Sequence, residues 1–277
     1  MSSILLHPAL PKVRRYIYSI LACIDRVFHR KNSIIIFAYH SIGNDNWRFG
    51  VALDDFCLQI RHLIGTGYIP VTLDDVIAHI RQGLSIPAKA FVVAFDDGYR
   101  DILLVKDFLN EQGIRPALFV LASPEQARRS ELTTDRPLLS WEEIRNLKAA
   151  GWLIGCHSDT HADFSKIAAA DLSSETLSAK RKIELNIGEP IKYFAYPKGY
   201  YNEAIHKAVR EAGYRAAFSM DDGFIGRSSD LFALPRVGVD RTHTGDEFPY
   251  IYQPSAISFR RLVKSIVAMM HQLRGRF

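Results

Sequence analysis

Asp96 and Asp97 stand side by side, directly after the apolar run 90–95 (AFVVAF) and directly before Gly98. Two adjacent carboxylates at a strand end are electrostatically awkward unless a cation or a proton lies between them. One of such a pair can hold a metal ion while its neighbour acts as a general base; an Asp-Gly pair also suits a plain turn or a helix cap. A second cluster, His157-Ser158-Asp159-Thr160-His161, follows the run 152–155 (WLIG). Histidines four apart converge on one ion if the backbone turns between them, and they are otherwise two unrelated loop histidines. Two strand ends delivering an Asp pair and a His pair change the odds, because two imidazoles and one carboxylate make a metal site with positions open to water and substrate.

Three further positions follow the same rule of falling at strand ends. His40 follows the run Ser33–Tyr39, where it could protonate a leaving group or serve as a hydrogen-bonded structural histidine. Tyr196-Pro197-Lys198-Gly199 follows the run 193–196, and a turn there could present a backbone N–H to an oxyanion. Arg236, in Leu234-Pro-Arg-Val237, reads as an inward strand arginine that requires a partner, such as a catalytic carboxylate. Two other acidic pairs serve as controls. Asp74-Asp75 opens a helical pattern and Asp221-Asp222 precedes Gly223 in a turn, so both read as structural.

The elements that must carry these residues are legible from period. Seven short apolar runs (Ser33–Tyr39, then 90–95, 117–121, 152–155, 193–196, 216–219 and 234–239) are strand-length, and the stronger ones are apolar throughout. That suits parallel strands buried on both faces. Helical patterns fill the gaps: 54–64, 72–80 with an N-cap at Thr72 or Asp74, 100–112 ending at Gly113, one opened by the capping box Ser140–Glu143 and ending at Gly151, 171–187 stopped by Gly188, and 202–212 stopped by Gly213. Strands alternating with helices predict a (β/α) architecture with its chemistry at the carboxyl ends of the strands.

The chain has 277 residues, of which 48% are hydrophobic and 23% charged, enough for one large core. Its net charge of +5 hints at an acidic partner or a membrane surface without choosing between them. Three cysteines, Cys23, Cys57 and Cys156, form no close pair, which argues against a disulfide framework and points to a reducing compartment or to plain burial. The apolar stretch 16–24 is short, is interrupted by Ser19 and is followed by Asp25, Arg26 and His29, a poor signal peptide. The expectation is therefore a chain in the cytoplasm or peripheral on the inner membrane face, with secretion left open. Both ends differ from the middle. Segment 10–31 carries Lys12, Arg14, Arg15, Arg26, Arg30 and Lys31 among apolar residues, and segment 258–277 carries Arg260, Arg261, Lys264, Arg274 and Arg276. Both read as basic amphipathic helices that either dock on an anionic membrane or pack on the body of the fold. No nucleophile elbow, phosphate loop, dinucleotide fingerprint or cysteine-rich zinc pattern is present, and no nucleic-acid reader motif accompanies the basic ends.

Together these motifs resemble the polysaccharide deacetylases. That family's first motif, Thr-Phe-Asp-Asp-Gly, is matched by Ala94–Gly98, and its second, His-Ser/Thr-x-x-x-His or close, by His157–His161. The subgroup acting on poly-β-1,6-N-acetylglucosamine is similar again through Tyr39-His40 and through 194–199 (FAYPKG). The resemblance implies a distorted (β/α) barrel spanning 34–245, flanked by helical arms at 1–33 and 246–277. It implies one divalent ion, Zn²⁺ before Co²⁺, Ni²⁺ or Fe²⁺, on Asp97, His157 and His161, with Asp96 as base and His40 as acid. Tyr196 and Pro197 would sit at the oxyanion and substrate side, and Arg236 would replace the arginine of the family's third motif. Two further departures are Ala94 for the motif Thr and Cys156 before the first metal histidine. The implied reaction is metal-dependent removal of N-acetyl groups from amino sugars of a polysaccharide, oligosaccharide or lipid-linked saccharide. The alternative is a non-catalytic saccharide-binding protein on the same scaffold, against which the intact Asp pair, His pair and His40 argue.

Overall fold

The structure, a computed structural model, describes residues 10–25, 33–126 and 135–274. In chain order its strands are β1 (Ser33–Tyr39), β2 (Ser41–Ile42), β3 (Gly50–Val51), β4 (Ile69–Pro70), β5 (Lys89–Phe95), β6 (Ala117–Val120), β7 (Leu153–Cys156), β8 (Tyr193–Ala195), β9 (Ala216–Phe218) and β10 (Val237–Gly238). All seven apolar runs singled out from period are strands of one parallel sheet, in the order β10-β1-β5-β6-β7-β8-β9. The sheet curls until its edges approach. Residues just before β10 bridge Phe218 of β9 through Leu234, while β10 itself pairs with β1. The result is the expected distorted (β/α) barrel.

Alternation along the strands sorts side chains into two cores. Ile34, Ile36, Ala90, Val92, Ala94, Ala117, Phe119, Tyr193, Ala195, Ala216 and Phe218 form the barrel interior. Their neighbours in sequence (Ile35, Phe37, Phe91, Val93, Leu118, Phe194) pack outward under the helices. The interior is narrow, and a Cβ on Gly155 would stand 2.6 Å from the Phe119 ring, so only glycine fits that inward position of β7.

The helices are α1 (Leu10–Asp25), α2 (Leu53–Gly65), α3 (Leu73–Gln82), α4 (Lys106–Glu111), α5 (Trp141–Ala149), α6 (Ala179–Ile187), α7 (Glu203–Glu211), α8 (Phe248–Ile251) and α9 (Pro254–Arg274). Thr72 and Ser140 cap α3 and α5 through reciprocal capping boxes with Asp75 and Glu143. Helix α3 lies across the amino-terminal end of the barrel, with Leu73, Val76 and Ile77 in the interior core and Asp74 paired to Lys192 at the start of β8.

Two expected helices are not continuous. The span 100–112 is a 3₁₀ segment (Arg100–Val105) followed by α4, and 171–187 is a π-turn (Ser174–Ser178) leading into α6. The π-turn has a local cause. The Thr176 hydroxyl donates to the Leu172 carbonyl at 2.6 Å, and Glu175 points inward to a loop described below.

Of the two terminal segments, α1 and the described part of α9 pack on each other. Tyr18 meets Phe259 edge-on at 6.2 Å, Ser255 donates to Asp25, and Arg14 pairs with Glu247. Phe248, tilted, and Tyr252, edge-on, also pack against Phe37 of β1, so this stretch shares the barrel's outer core. Arg26, His29, Arg30, Lys31 and Arg276, which belong to the basic terminal stretches, lie outside the described residues.

Candidate active site

Strand phase explains how the chemistry converges. In β1, β5 and β7 the inward residues run in steps of two, and the next inward positions past the strand ends are His40, Asp96 and His157. The backbones are in register at this point: Tyr39 pairs with Phe95, and the Asp96 amide donates to the Tyr39 carbonyl at 2.9 Å. Each chain then turns sharply. The described non-glycine residues with left-handed backbone are Asp97 (φ 68°), Ser158 (φ 73°), His161 (φ 59°) and Lys198 (φ 56°), and all four belong to the segments that follow β5, β7 and β8. Strained backbone gathered at one end of a barrel marks a site that the rest of the fold holds in place.

Asp97, His157 and His161 are buried, and one ligand atom from each lies within 4.8 Å of the other two. Asp97 Oδ1 is 3.4 Å from Nε2 of both histidines and has no hydrogen-bond partner. The His157 tautomer follows from its surroundings. Its Nδ1 is 2.8 Å from the Ala195 carbonyl, which can only accept, so Nδ1 carries the proton. Burial first, opposed by Asp96, holds the ring's pKa down at about 3, so it is neutral and Nε2 presents a lone pair. A nitrogen lone pair facing an unpartnered carboxylate oxygen is repulsive as it stands and becomes favourable with a cation between them. Burial also pushes Asp97 up to about 6, the behaviour of a carboxylate lacking compensation. The donor set, two neutral-type imidazole nitrogens and one carboxylate, therefore fits a divalent ion of the Zn²⁺ type.

Asp96 is held quite differently. Arg236, fully buried, donates Nη1 to Oδ1 at 2.7 Å and Nη2 to Oδ2 at 2.8 Å, while its Nε donates to the Ser219 carbonyl at 3.0 Å. Burial alone would raise the Asp96 pKa; the Arg236 guanidinium outweighs it and brings the carboxyl down to about 2. Asp96 is thus ionised and fixed in direction. His40 is close enough for its charge to bear on both carboxyls, and its ring lies 4.9 Å from that of Phe49.

The metal-type loop has a support that the sequence did not announce. Glu175, buried in the π-turn, accepts from the amides of Asp159 (2.9 Å) and Thr160 (3.0 Å) and from the Thr160 hydroxyl (2.7 Å). Lys182 on α6 donates to both Asp159 oxygens and to Ser123, which itself donates to Asp159. The available signal was a charge on a buried stripe: Glu175 shares the face of Leu172, Ala179, Ile183 and Ile187.

Other positions require correction. The Tyr196 amide is not aimed at the site, since it donates to the Phe218 carbonyl at 3.0 Å as part of the sheet ladder, and its hydroxyl donates to the Phe232 carbonyl. Pro197 has no N–H, and the amides of Gly199 and Tyr200 are used inside the turn. An oxyanion role for the Tyr196 amide is therefore withdrawn. Asp221-Asp222, read as a turn, does more than turn: Asp222 is buried and anchors α9 through Arg260 and Lys264. Asp74-Asp75 is the helix start expected of it. Burial pushes the Cys156 thiol up to about 12, so it fills space beneath the loop and is no thiolate ligand. Ala94 points into the interior core.

With this geometry in hand, comparison with known proteins is informative. Residues 85–217 match the family model described as polysaccharide deacetylase. The poly-β-1,6-N-acetyl-D-glucosamine N-deacetylase of Escherichia coli K12 is 22% identical over an alignment covering 78% of this chain and 38% of that protein. The chain thus spans well under half the length of the curated relatives it matches. Among solved structures, the Streptococcus pyogenes deacetylase PplD superposes with a TM-score of 0.70 at 18% identity, covering 81% of this chain and all of that one. IcaB from Ammonifex degensii superposes with 0.69 at 22% identity, covering 81% of this chain and 97% of that one. The seven-stranded barrel and the paired motifs at its carboxyl end agree with the match of residues 85–217 to the polysaccharide deacetylase family, and the fold is that of the deacetylase barrel.

Proposed function

We propose that this chain hydrolyses N-acetyl groups from amino sugars of a polysaccharide, oligosaccharide or lipid-linked saccharide, using one divalent ion. The observation that carries the reading is the buried, unpartnered Asp97 Oδ1 facing His157 and His161, one residue from a carboxylate locked by Arg236. Asp97, His157 and His161 would hold the ion, Zn²⁺ first, with Co²⁺, Ni²⁺ or Fe²⁺ as substitutes. When bound, such an ion supplies Lewis-acid chemistry to an acetamide carbonyl and to water.

The chain's own residues divide the proton work. Asp96 accepts a proton from the attacking water. Its bidentate pair with Arg236 keeps it ionised and directed at some cost in basicity, so the proton it takes is readily passed on. His40 gives a proton to the departing nitrogen as the C–N bond breaks, leaving acetate and a free amine. Trp47 and Phe49 are half-buried beside His40, with ring centroids 5.4 Å apart, and offer an apolar wall to a sugar ring. The E. coli relative makes β-1,6-linked N-acetylglucosamine oligomers the first substrate to try.

The test is acetate release from those oligomers by protein stripped of metal and then resupplied with Zn²⁺ or Co²⁺. Release restored by metal is the expected result; no metal uptake at all would sink the reading. Asp96→Asn is expected to lower turnover roughly 10²–10⁴-fold with the ion still bound. Near-normal turnover in that variant would remove Asp96 from the base role.

A further inference from the structure

One short stretch of chain grips His40 from both sides. On its amino side the Tyr39 carbonyl accepts the Asp96 amide at 2.9 Å. On its carboxyl side the Ser41 hydroxyl donates to one Asp101 oxygen at 2.6 Å, and the Ile42 amide donates to the other at 3.1 Å. Ser41 and Ile42 are both buried. Asp101 belongs to the 3₁₀ segment Arg100–Val105, which follows directly on the Asp96-Asp97-Gly98-Tyr99 turn. The stretch 96–101 therefore carries both active-site carboxyls and also holds the backbone flanking His40. Arg136 completes the clasp. Its Nη1 donates to Asp101 at 2.7 Å, it pairs with Asp45, and its guanidinium carbon lies 5.2 Å from the centroid of the Trp47 ring. A carboxylate that receives an amide, a hydroxyl and a guanidinium is a strong, directional anchor.

The His40 ring is oriented in an indirect way. A functional histidine is commonly aimed by a hydrogen bond from its second ring nitrogen to a carboxylate or carbonyl. His157 is held like that, through Nδ1 on the Ala195 carbonyl. His40 Nδ1 is buried and, among the described residues, has no hydrogen-bond partner. The ring packs instead on Phe49, centroid to centroid 4.9 Å. Phe49 leads back to the same clasp, because its carbonyl accepts the Ser41 amide at 3.3 Å and its neighbour Gly50 pairs with Ser41 in the β2–β3 ladder. Both restraints on the ring, the held backbone and the aromatic neighbour, thus pass through Ser41 to Asp101.

We propose that Asp101 is the positioning residue of His40: it fixes residues 40–42 so that the imidazole meets the departing nitrogen, without itself touching the reacting atoms. The proposal rests on the deacetylase reading, in which His40 is the acid. A plain loop anchor and a positioning residue differ in what their loss does. Loss of an anchor slows every reaction of the site alike. Loss of a positioned acid slows the reactions whose leaving group must be protonated. The nitrogen of an acetamide leaves as an amine and takes up a proton as the C–N bond breaks, whereas 4-nitrophenolate leaves an acetate ester as the anion and takes up none.

The experiment compares turnover of β-1,6-linked N-acetylglucosamine oligomers with turnover of 4-nitrophenyl acetate, both by the Zn²⁺- or Co²⁺-loaded full chain. In Asp101→Ala the ratio of amide to ester turnover is expected to fall roughly 10–100-fold, a part of the 10²–10⁴-fold that a general acid supplies. In a His40→Ala background the same change should move the ratio by less than about twofold, because two residues acting as one unit are not additive. Ser41→Ala removes one hydroxyl from the clasp and should shift the ratio in the same direction by a smaller factor; it carries the test if Asp101→Ala does not fold. A ratio that stays constant while both rates fall would make Asp101 a plain anchor and overturn the proposal. An equal fall with and without His40 would overturn it as well. A readout without turnover keeps it separate from the deacetylase reading. In ring ¹⁵N spectra of metal-free protein, with the His40 signals identified by their loss in His40→Ala, Asp101→Ala should shift or double those signals and leave those of His79, at the opposite end of the barrel, in place. Unmoved His40 signals would overturn the positioning role whatever the substrate, whereas a metal-loaded wild type that releases no acetate from the oligomers would count against the deacetylase reading.

Discussion

Arg236 fixes Asp96 through a bidentate, fully buried pair, so the two side chains are best treated as one unit. Removing one partner of such a pair strands a charge in the core. Arg236→Met is expected to cost about 3–5 kcal/mol at neutral pH, with the double variant Arg236→Met, Asp96→Asn losing distinctly less. Denaturant titrations of the four proteins measure the coupling. The pH dependence has a definite sign. In the native chain the folded pKa of Asp96, about 2, lies below its unfolded value, so the pair's contribution is complete above the ordinary carboxylate range and fades as pH falls through about 2. In Arg236→Met burial acts unopposed by Arg236 and raises the carboxyl, so the deficit should shrink as pH is lowered from 7 towards 5. A deficit that stays constant over that interval would mean that the stranded charge is not its source.

At the level of elements, the loop after β7 is held by a piece of secondary structure that lies outside the barrel sheet. The π-turn swings Glu175 inward so that one carboxylate receives two amides and a hydroxyl from residues 159 and 160, between the two histidines. A single-turn π-helix inside a longer helical run is a common functional device, because the extra residue re-aims a side chain. Supports of metal ligands typically alter affinity 10–100-fold when removed. Glu175→Gln is therefore expected to weaken Zn²⁺ or Co²⁺ binding by roughly that factor. Turnover at saturating metal should change much less. Titration with Co²⁺ followed by its visible absorption, alongside rates at saturating metal, separates the two quantities. A variant with unchanged affinity would reduce Glu175 to a plain structural residue.

For the whole molecule, an ion on Asp97, His157 and His161 would tie β5 to the loop after β7, and so bind only the folded chain. Linkage then predicts stabilisation of about 4 kcal/mol at a free ion concentration a thousand times the dissociation constant. For a chain of this size that is a rise of roughly 8–16 °C in melting temperature. Calorimetry of stripped and reloaded protein would show it, and His161→Ala should abolish the shift. A melting curve indifferent to Zn²⁺ and Co²⁺ would contradict the metal assignment without reference to any substrate. The same barrel end carries α9, and the buried Asp222 that anchors it lies two residues beyond Met220, whose sulfur contacts Arg236.

The sequence alone determined the strands, because a two-sided buried strand writes itself as an unbroken apolar run. All seven such runs, from Ser33–Tyr39 to the stretch around Val237, became neighbours in one sheet. It also determined which strand ends bear unusual chemistry, because Asp96, Asp97, His157, His161 and His40 follow those runs directly. The capping box at Ser140 was legible for a similar reason, since its bonds span three residues; at the start of α3 the sequence left the N-cap between Thr72 and Asp74, and the structure makes it Thr72, boxed with Asp75. What only the tertiary structure decided are the bonds made across long stretches of chain. Arg236 reaches Asp96 across 140 positions, and Glu175 reaches Asp159 across 16. The Tyr196 amide is spent on Phe218 because β8 and β9 are paired, a fact invisible in the turn's own residues. The way α1 and α9 pack is of the same kind. Their amphipathic pattern was plain, but a pattern gives only the stripe, and its direction is set by which side of each helix the barrel and its partner helix cover.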